Sequence, residues 1–280
     1  MSNNSINTNV GALVALQNLN TTSTSLQQTQ NRISTGLSVS SAKDNGAIWG
    51  IAQNSRASIS SLDAVKQSLQ RAQSTVDVAV SAGQTISDLL NQIKSKALAG
   101  SDTSLDSISR KALNNDVSAL IAQIQKITST ADFNGTNIIK TNGASIYALA
   151  NASGSSKLTV QGIALGVSGS ASTTGITFTA TASFTTATTA ATFLSLVNTS
   201  IIQVNASVAK LGTGSNALTT HLNFISALQD SLTQGVGNLV DADVAKESAN
   251  LTALQTKQQL GVQALSIANS SKQGLLSLFR

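Results

Sequence analysis

The 280-residue chain contains no cysteine and no proline. Without cysteine, disulfides and thiolate metal centres are excluded. Without proline, nothing forces a break in a long helix. Charged residues make up 10% of the chain and aromatics 3%, both low for a globular enzyme. His221 is the single histidine, so a two-histidine metalloprotease helix is impossible. Catalysis and bound cofactors or metals therefore have little to stand on. The net charge of +5 forms no basic block. With aromatic platforms missing as well, nucleic acid is not an expected partner. The N-terminus has no positively charged leader before an apolar core, so a cleavable secretory signal is not expected. No run approaches the ~18 apolar residues of a membrane span, so no membrane partner is expected either.

Charge is unevenly spread. Residues 1–140 hold eleven basic and eight acidic side chains, whereas 141–209 hold only Lys157. Length alone allows one or two domains of ~100–200 residues.

What is present is heptad spacing, which keeps one apolar stripe facing a partner helix. Leu19, Leu26, Ile33 and Leu37 form a thin stripe near the N-terminus, interrupted by polar Ser23 and Gln30. A second segment is continuous: Leu62, Val65, Leu69, Ala72, Val76, Ala79, Gly83, Ile86, Leu90, Ile93 and Ala97 alternate by three and four. Ala79 and Gly83 would let a neighbour approach closely. Leu113, Val117, Leu120, Ile124 and Ile127 continue the pattern until the Asn134-Gly135 turn. Helical spacing resumes at Val197 and carries through Ile201, Val204, Val208, Leu211, Leu218, Leu222, Ile225 and Leu232. Gly212, Gly214, Gly235 and Gly237 each weaken that helix by ~1 kcal/mol against alanine. Finally Leu251, Leu254, Leu265, Ala268, Leu275 and Phe279 share a heptad frame interrupted by Gln258, Gly261 and Lys272.

Between the helical halves, Gly, Ser, Thr and Ala dominate. Lys157–Gly162 and Ile176–Phe184 alternate polar and apolar residues and read as short strands, with a Gly/Ser-rich exposed loop between them. The expected fold is mainly α: a long antiparallel coiled-coil bundle of N- and C-terminal segments with a small β-rich insert. Its expected division is 1–44 with 236–280 (paired terminal helices), 45–140 with 196–235 (outer helical bundle), and 141–195 (surface insert). The thinnest stripes lie at the two ends, so the termini are expected to order each other or to order against other subunits.

Three motifs carry a resemblance. Ile6-Asn7-Thr8-Asn9, followed by NLNTTSTSLQQTQNRISTGLSVSSAKDNGA at 18–47, is similar to the first signature of bacterial flagellins. Asp132-Phe133-Asn134-Gly135-Thr136 is similar to that family's mid-chain FNG motif. Asp241-Ala242-Asp243, Glu247, QQLGVQALSIAN and the ending LLSLF resemble its last signature. Together the matches cover about residues 1–140 and 200–280. The resemblance implies a self-assembling subunit of the extracellular flagellar filament. It also implies export unfolded through the flagellar type III channel. The implied partners are copies of itself, the export apparatus with a flagellin chaperone, and the filament cap and hook-junction proteins. On this plan Leu19, Leu26, Ile33, Leu37, Leu251, Leu254, Leu265, Leu275 and Phe279 pack the filament core. Leu62, Leu69, Val76, Leu90, Ile93, Leu218, Leu222 and Ile225 form the outer seam. Gln92 and Ser95 stand where many flagellins carry an arginine and a glutamate read by an innate immune receptor, a departure similar to alphaproteobacterial flagellins.

A hook–filament junction protein, which shares the terminal heptads, is the nearest alternative; a secreted enzyme or adhesin on a flagellin-like scaffold is a more distant one. His221 reads as a polar-face residue, Asp241 and Asp243 as acids at a helix N-terminus, Lys43–Gly46 as a turn, and Trp49 as a packed aromatic. O-linked sugars between 141 and 195 are implied by resemblance alone.

Overall fold

A computed structural model describes residues 8–167 and 175–277, with side chains described through Ser271. Among these residues the elements are α1 (Val10–Thr35), α2 (Gly46–Gly100), α3 (Ser107–Thr130), β1 (Ile146–Leu149), β2 (Lys157–Val160), α4 (Ala187–Val240) and α5 (Val244–Ser277). The chain divides into two compact units, one of residues 1–57 with 231–280 and one of residues 58–230.

In the 58–230 unit, all eleven positions of the continuous α2 stripe, from Leu62 to Ala97, are buried. Val197, Val204, Leu211, Leu218 and Ile225 of α4 are buried too, and Leu222 is half-buried. The two helices run antiparallel. Gln229 binds Asp63, Gln73 binds Thr219, Ser215 binds Asp77 and Ser87 binds Asn205, so partners descend α4 as they climb α2. On α3, Val117, Ile121 and Ile124 form the buried face, and Leu113, Leu120 and Ile127 flank it half-buried.

Helix α4 begins at Ala187, ten residues before the point where its heptads become readable, and it runs unbroken through Gly212, Gly214, Gly235 and Gly237. Burial of its apolar face outweighs the propensity loss. By length and composition α4 is apolar enough to cross a membrane. Counting uninterrupted apolar runs does not reveal this, because serines and threonines are interspersed. Val197, Val204, Leu211, Leu218 and Ile225 are spent on the core of this unit, while Leu196, Ile202, Phe224 and Leu228 stay exposed.

The insert is smaller in β-structure than its alternation suggests. β1 and β2 form an antiparallel hairpin pairing Ile146 with Val160 and Leu149 with Lys157. Ile176–Phe184 is not a strand. Ile176, Phe178 and Phe184 are buried, but Ala180 is exposed, and among the described residues the segment's ladder contact is limited to the isolated Val167–Ile176 bridge. Its backbone is satisfied instead by side chains: Thr177 N–H donates to Ser200 Oγ and Phe184 N–H to Asn114 Oδ1. Phe178 and Phe184 pack on Phe193, with centroids 5.2 and 5.9 Å away. Most of the Gly/Ser-rich loop expected between the two segments lies outside the described residues.

Two polar side chains close helix ends in this unit. Buried Arg110 donates to the carbonyls of Gly100, Asp102 and Leu105 at 2.8–3.0 Å, satisfying groups left open where α2 ends. Buried Asn137 donates to Thr128 O and accepts from the N–H groups of Ile139 and Lys140. Phe133 and Thr136 exchange both backbone hydrogen bonds around Asn134-Gly135. Both turn residues have positive φ, 51° and 75°, which is why Asn-Gly stands there.

Candidate interface on the paired terminal helices

Helix α1 starts at Asn9, whose Oδ1 accepts from Ala12 N–H. It stops at Gly36, which adopts φ +70° and donates back to Arg32 O. A left-handed residue costs glycine little. Leu37 therefore lies beyond the helix rather than on its stripe. It is half-buried and bridges to Asp241, while Ser38 N–H donates to Val240 O at 2.7 Å and Ala242 N–H to Gly36 O at 2.9 Å. Asp243 caps α5 by accepting from Lys246 N–H. Asp44 ties the 40–44 turn by accepting from Ser40 and Ser41.

Helices α1 and α5 pack against each other. Along α5 the covered row is Glu247, Leu251, Leu254, Gln258, Gly261, Leu265 and Ala268, a strict four–three alternation. Along α1 it is Ala12, Ala15, Leu19, Thr22, Leu26, Thr29 and Ile33. The polar residues completing the α1 stripe are thus Thr22 and Thr29, whereas Gln30 is exposed and Ser23 flanks the row. Only Thr29 and Glu247 in these rows are fully buried; Leu19, Leu26, Ile33, Leu251, Leu254 and Leu265 are half-buried. Leu275 is in α5 with its side chain outside the described residues, and Phe279 lies outside them altogether.

Polar contacts lie near both ends of the pair. Arg32 Nη1 stands 3.1 Å from Glu247 Oε1, with side chains 34% and 11% exposed. Near the other end, Asn9 Nδ2 donates to Ala268 O at 2.9 Å. Asn9, Arg32 and Glu247 fall within the motifs that carry the family resemblance, but only the partner helix shows what each of them pairs with.

The pair leaves much apolar surface in water. Val10, Leu13, Val14 and Leu16 of α1 and Val244, Leu260, Val262 and Ile267 of α5 are exposed, Leu13 at 57%, Leu260 at 59% and Ile267 at 63%. An open groove between Asn9, Ala12, Leu13, Leu16 and Leu265 runs along this surface. Two thin rows cannot bury all the apolar side chains that two helices carry.

Chemistry elsewhere is sparse. Half-buried His221 shares a 2.8 Å hydrogen bond with Ala150 O beside Phe224, so it fastens the hairpin rather than lining a cleft. Trp49 is half-buried in the first turn of α2, and Gln92 and Ser95 are exposed on that helix. Among the described residues no cluster of His, Asp or Glu could hold a metal ion.

Comparison with known proteins decides the family. Residues 6–144 match the bacterial flagellin N-terminal helical region and residues 194–279 match the C-terminal helical region. The chain belongs to the bacterial flagellins. It is 54% identical to flagellin FljM of Caulobacter vibrioides over the whole of both chains. It is 39% identical to a flagellin of Brucella melitensis over 99% of each. A Bacillus cereus flagellin crystal structure aligns with a TM-score of 0.49 at 24% identity, covering 56% of this chain and 88% of that one. The two matched regions of this flagellin contain α1 to α3 on one side and α5 with most of α4 on the other.

Proposed function

We propose that this flagellin is the structural subunit of a swimming filament, polymerising by burying the apolar surface left open on α1 and α5. The observation that carries the reading is the exposed set Val10, Leu13, Val14, Leu16, Leu260, Val262 and Ile267 beside a pair whose own seam is only half-buried. Burying a Leu or Ile side chain fully contributes roughly 1.5–3 kcal/mol, so several such residues per subunit suffice for a stiff polymer. In that polymer the half-buried seam residues Leu19, Leu26, Ile33, Leu251, Leu254 and Leu265 complete their burial, and Leu275 and Phe279 join the same core. Leu62, Leu69, Val76, Leu90, Ile93, Leu218, Leu222 and Ile225 hold the outer bundle together.

The activity is assembly rather than catalysis. A thin terminal seam also suits export as an unfolded chain through the flagellar secretion channel, with a chaperone shielding the apolar ends and the cap and hook-junction proteins receiving them. Glutamine and serine at 92 and 95 remove the charge pair that an immune receptor would read.

The test is polymerisation of purified Leu13→Ser/Leu16→Ser chain, followed by electron microscopy. Both side chains are largely exposed, so helix content should match the parent while long filaments disappear. Normal filaments from the variant would overturn the proposal. Parent chain that stops at short assemblies would favour a hook–filament junction role instead.

A further inference from the structure

The apolar rows of α1 and α5 do not by themselves fix how the two helices align. Both repeat every seven residues, so sliding one past the other by a heptad keeps the two rows facing each other. In the observed register Leu19 lies at Gly261, where a β-carbon would be 3.2 Å from Leu19 Cδ1. Displaced one heptad in one direction, Leu19 meets Leu254 and Leu26 meets Glu247. Displaced in the other, Leu19 meets Ala268 and Leu26 meets Gly261. The second alternative keeps these leucines against small residues, whereas the first sets Leu26 against Glu247. Both slips would pull apart the backbone bonds that join 36–38 to 240–242, and within the helix rows they differ in what becomes of Arg32 and Glu247.

We infer that the Arg32–Glu247 ion pair sets the register of the terminal helix pair, with Gly261 as the socket for Leu19 and Asn9 as a second polar mark at the far end. Glu247 is buried to 8% exposure as a residue. Any slip therefore strips a covered carboxylate of its partner or carries it out of the seam, and unpaired buried charge is strongly disfavoured. Burying a polar pair at one heptad position is a known way for coiled coils to choose alignment at some expense in stability. The pair sits at the first turn of α5 and the last turn of α1. There Glu247 also faces the positive end of its own helix and Arg32 the negative end of its own. Both local fields favour the charges that the register brings together. This inference concerns alignment within one chain and goes beyond the filament reading.

The chain has no cysteine, so introduced pairs report alignment directly. A β-carbon at position 261 would be 3.9 Å from Leu19 Cβ, within the range of about 3.5–4.5 Å that a disulfide spans. Leu19→Cys/Gly261→Cys reports the observed register, and Leu19→Cys with Leu254→Cys or Ala268→Cys reports the two slips. Each is read as an intrachain disulfide on a non-reducing gel after mild oxidation of the full chain. Without other changes the 19–261 bond should dominate. Arg32→Glu or Glu247→Arg should lower its yield relative to the slipped bonds at least about tenfold, as expected for losing a charge-assisted contact. Arg32→Glu with Glu247→Arg should restore it only in part, because each reversed charge then opposes its own helix end. Glu247→Gln, which keeps shape without charge, should give an intermediate ratio and guards against a reversal that merely unfolds the ends. Unchanged ratios in the single reversals and in Glu247→Gln would overturn the inference, as would a double reversal whose 19–261 yield does not rise above that of either single reversal. Because the bond forms within one chain, correct alignment without polymerisation would count against the filament reading and not against this one.

Discussion

Gly83 and Gly212 are both interior helix glycines, and substituting alanine at each should move stability in opposite directions. At Gly212 on α4 no atom lies within 4 Å of where a β-carbon would stand. Alanine there should therefore gain the propensity difference of about 1 kcal/mol. At Gly83 on α2 the same β-carbon would lie 2.6 Å from Val208 Cγ2 and 3.3 Å from Leu165 Cδ1. Relaxed carbon–carbon contacts sit near ~3.5–4.0 Å, so roughly 1 Å of overlap must be relieved. Val208 is β-branched and stiff about χ1, and overpacking of this kind costs about 1–3 kcal/mol. Offset by the same propensity gain, Gly83→Ala should be destabilising by about 1 kcal/mol. The assay is urea unfolding of the soluble chain followed by circular dichroism, with the midpoint rising for Gly212→Ala and falling for Gly83→Ala at unchanged slope. Adding Val208→Ala should relieve Gly83→Ala more than additivity allows. If Gly83→Ala stabilised the chain as much as Gly212→Ala does, the close approach of α2 to α4 at this point would be refuted.

Other expectations follow from the same contacts. Arg110→Ala should cost about 3 kcal/mol by orphaning three carbonyls, and Arg110→Lys should recover only part of it, both read from denaturation midpoints. Ile93→Ala, at a fully buried site, should cost about 2–5 kcal/mol by the same measurement. Asp106 caps α3, and its carboxyl is held below the ordinary value of 3.8 first by the backbone N–H of Ser109 and then by the Ser109 hydroxyl. A depressed carboxylate contributes stability that is present above pH 3.8 and lost as pH falls through the lower folded value. Asp106→Asn, which still caps, should flatten that acid limb in thermal melts between pH 2 and 5; an unchanged limb would show that this cap does not govern it.

The long helices were readable because their apolar residues recur without a slip. Eleven consecutive heptad positions from Leu62 to Ala97 are buried. The terminal pair was readable in outline for the same reason, down to the positions of Gln258 and Gly261. Several features escaped, the short strand Ile146–Leu149 among them. The start of α4 at Ala187 was masked by a threonine- and alanine-rich turn resembling the insert before it. Leu37 fitted the heptad frame, but Gly36 ends the helix one residue earlier. Ile176–Phe184 alternated like a strand, yet alternation reports only which side chains are buried and not whether a neighbouring strand supplies the ladder. Arg110 and Asn137 gave no local signal, and the motifs holding Arg32 and Glu247 did not reveal their pairing, because each acts on a segment distant in sequence or on the backbone of a loop.

The claim that α1 and α5 are the surfaces completed by polymerisation is tested most directly by hydrogen exchange on the soluble chain and on its polymer. Amides of Val10–Thr35 and Val244–Ser271 should gain protection on polymerisation far more than those of Leu62–Ala97 and Val197–Ile225, which are already covered in the single chain. Equal gains in both sets, or no gain in the terminal helices, would contradict the account.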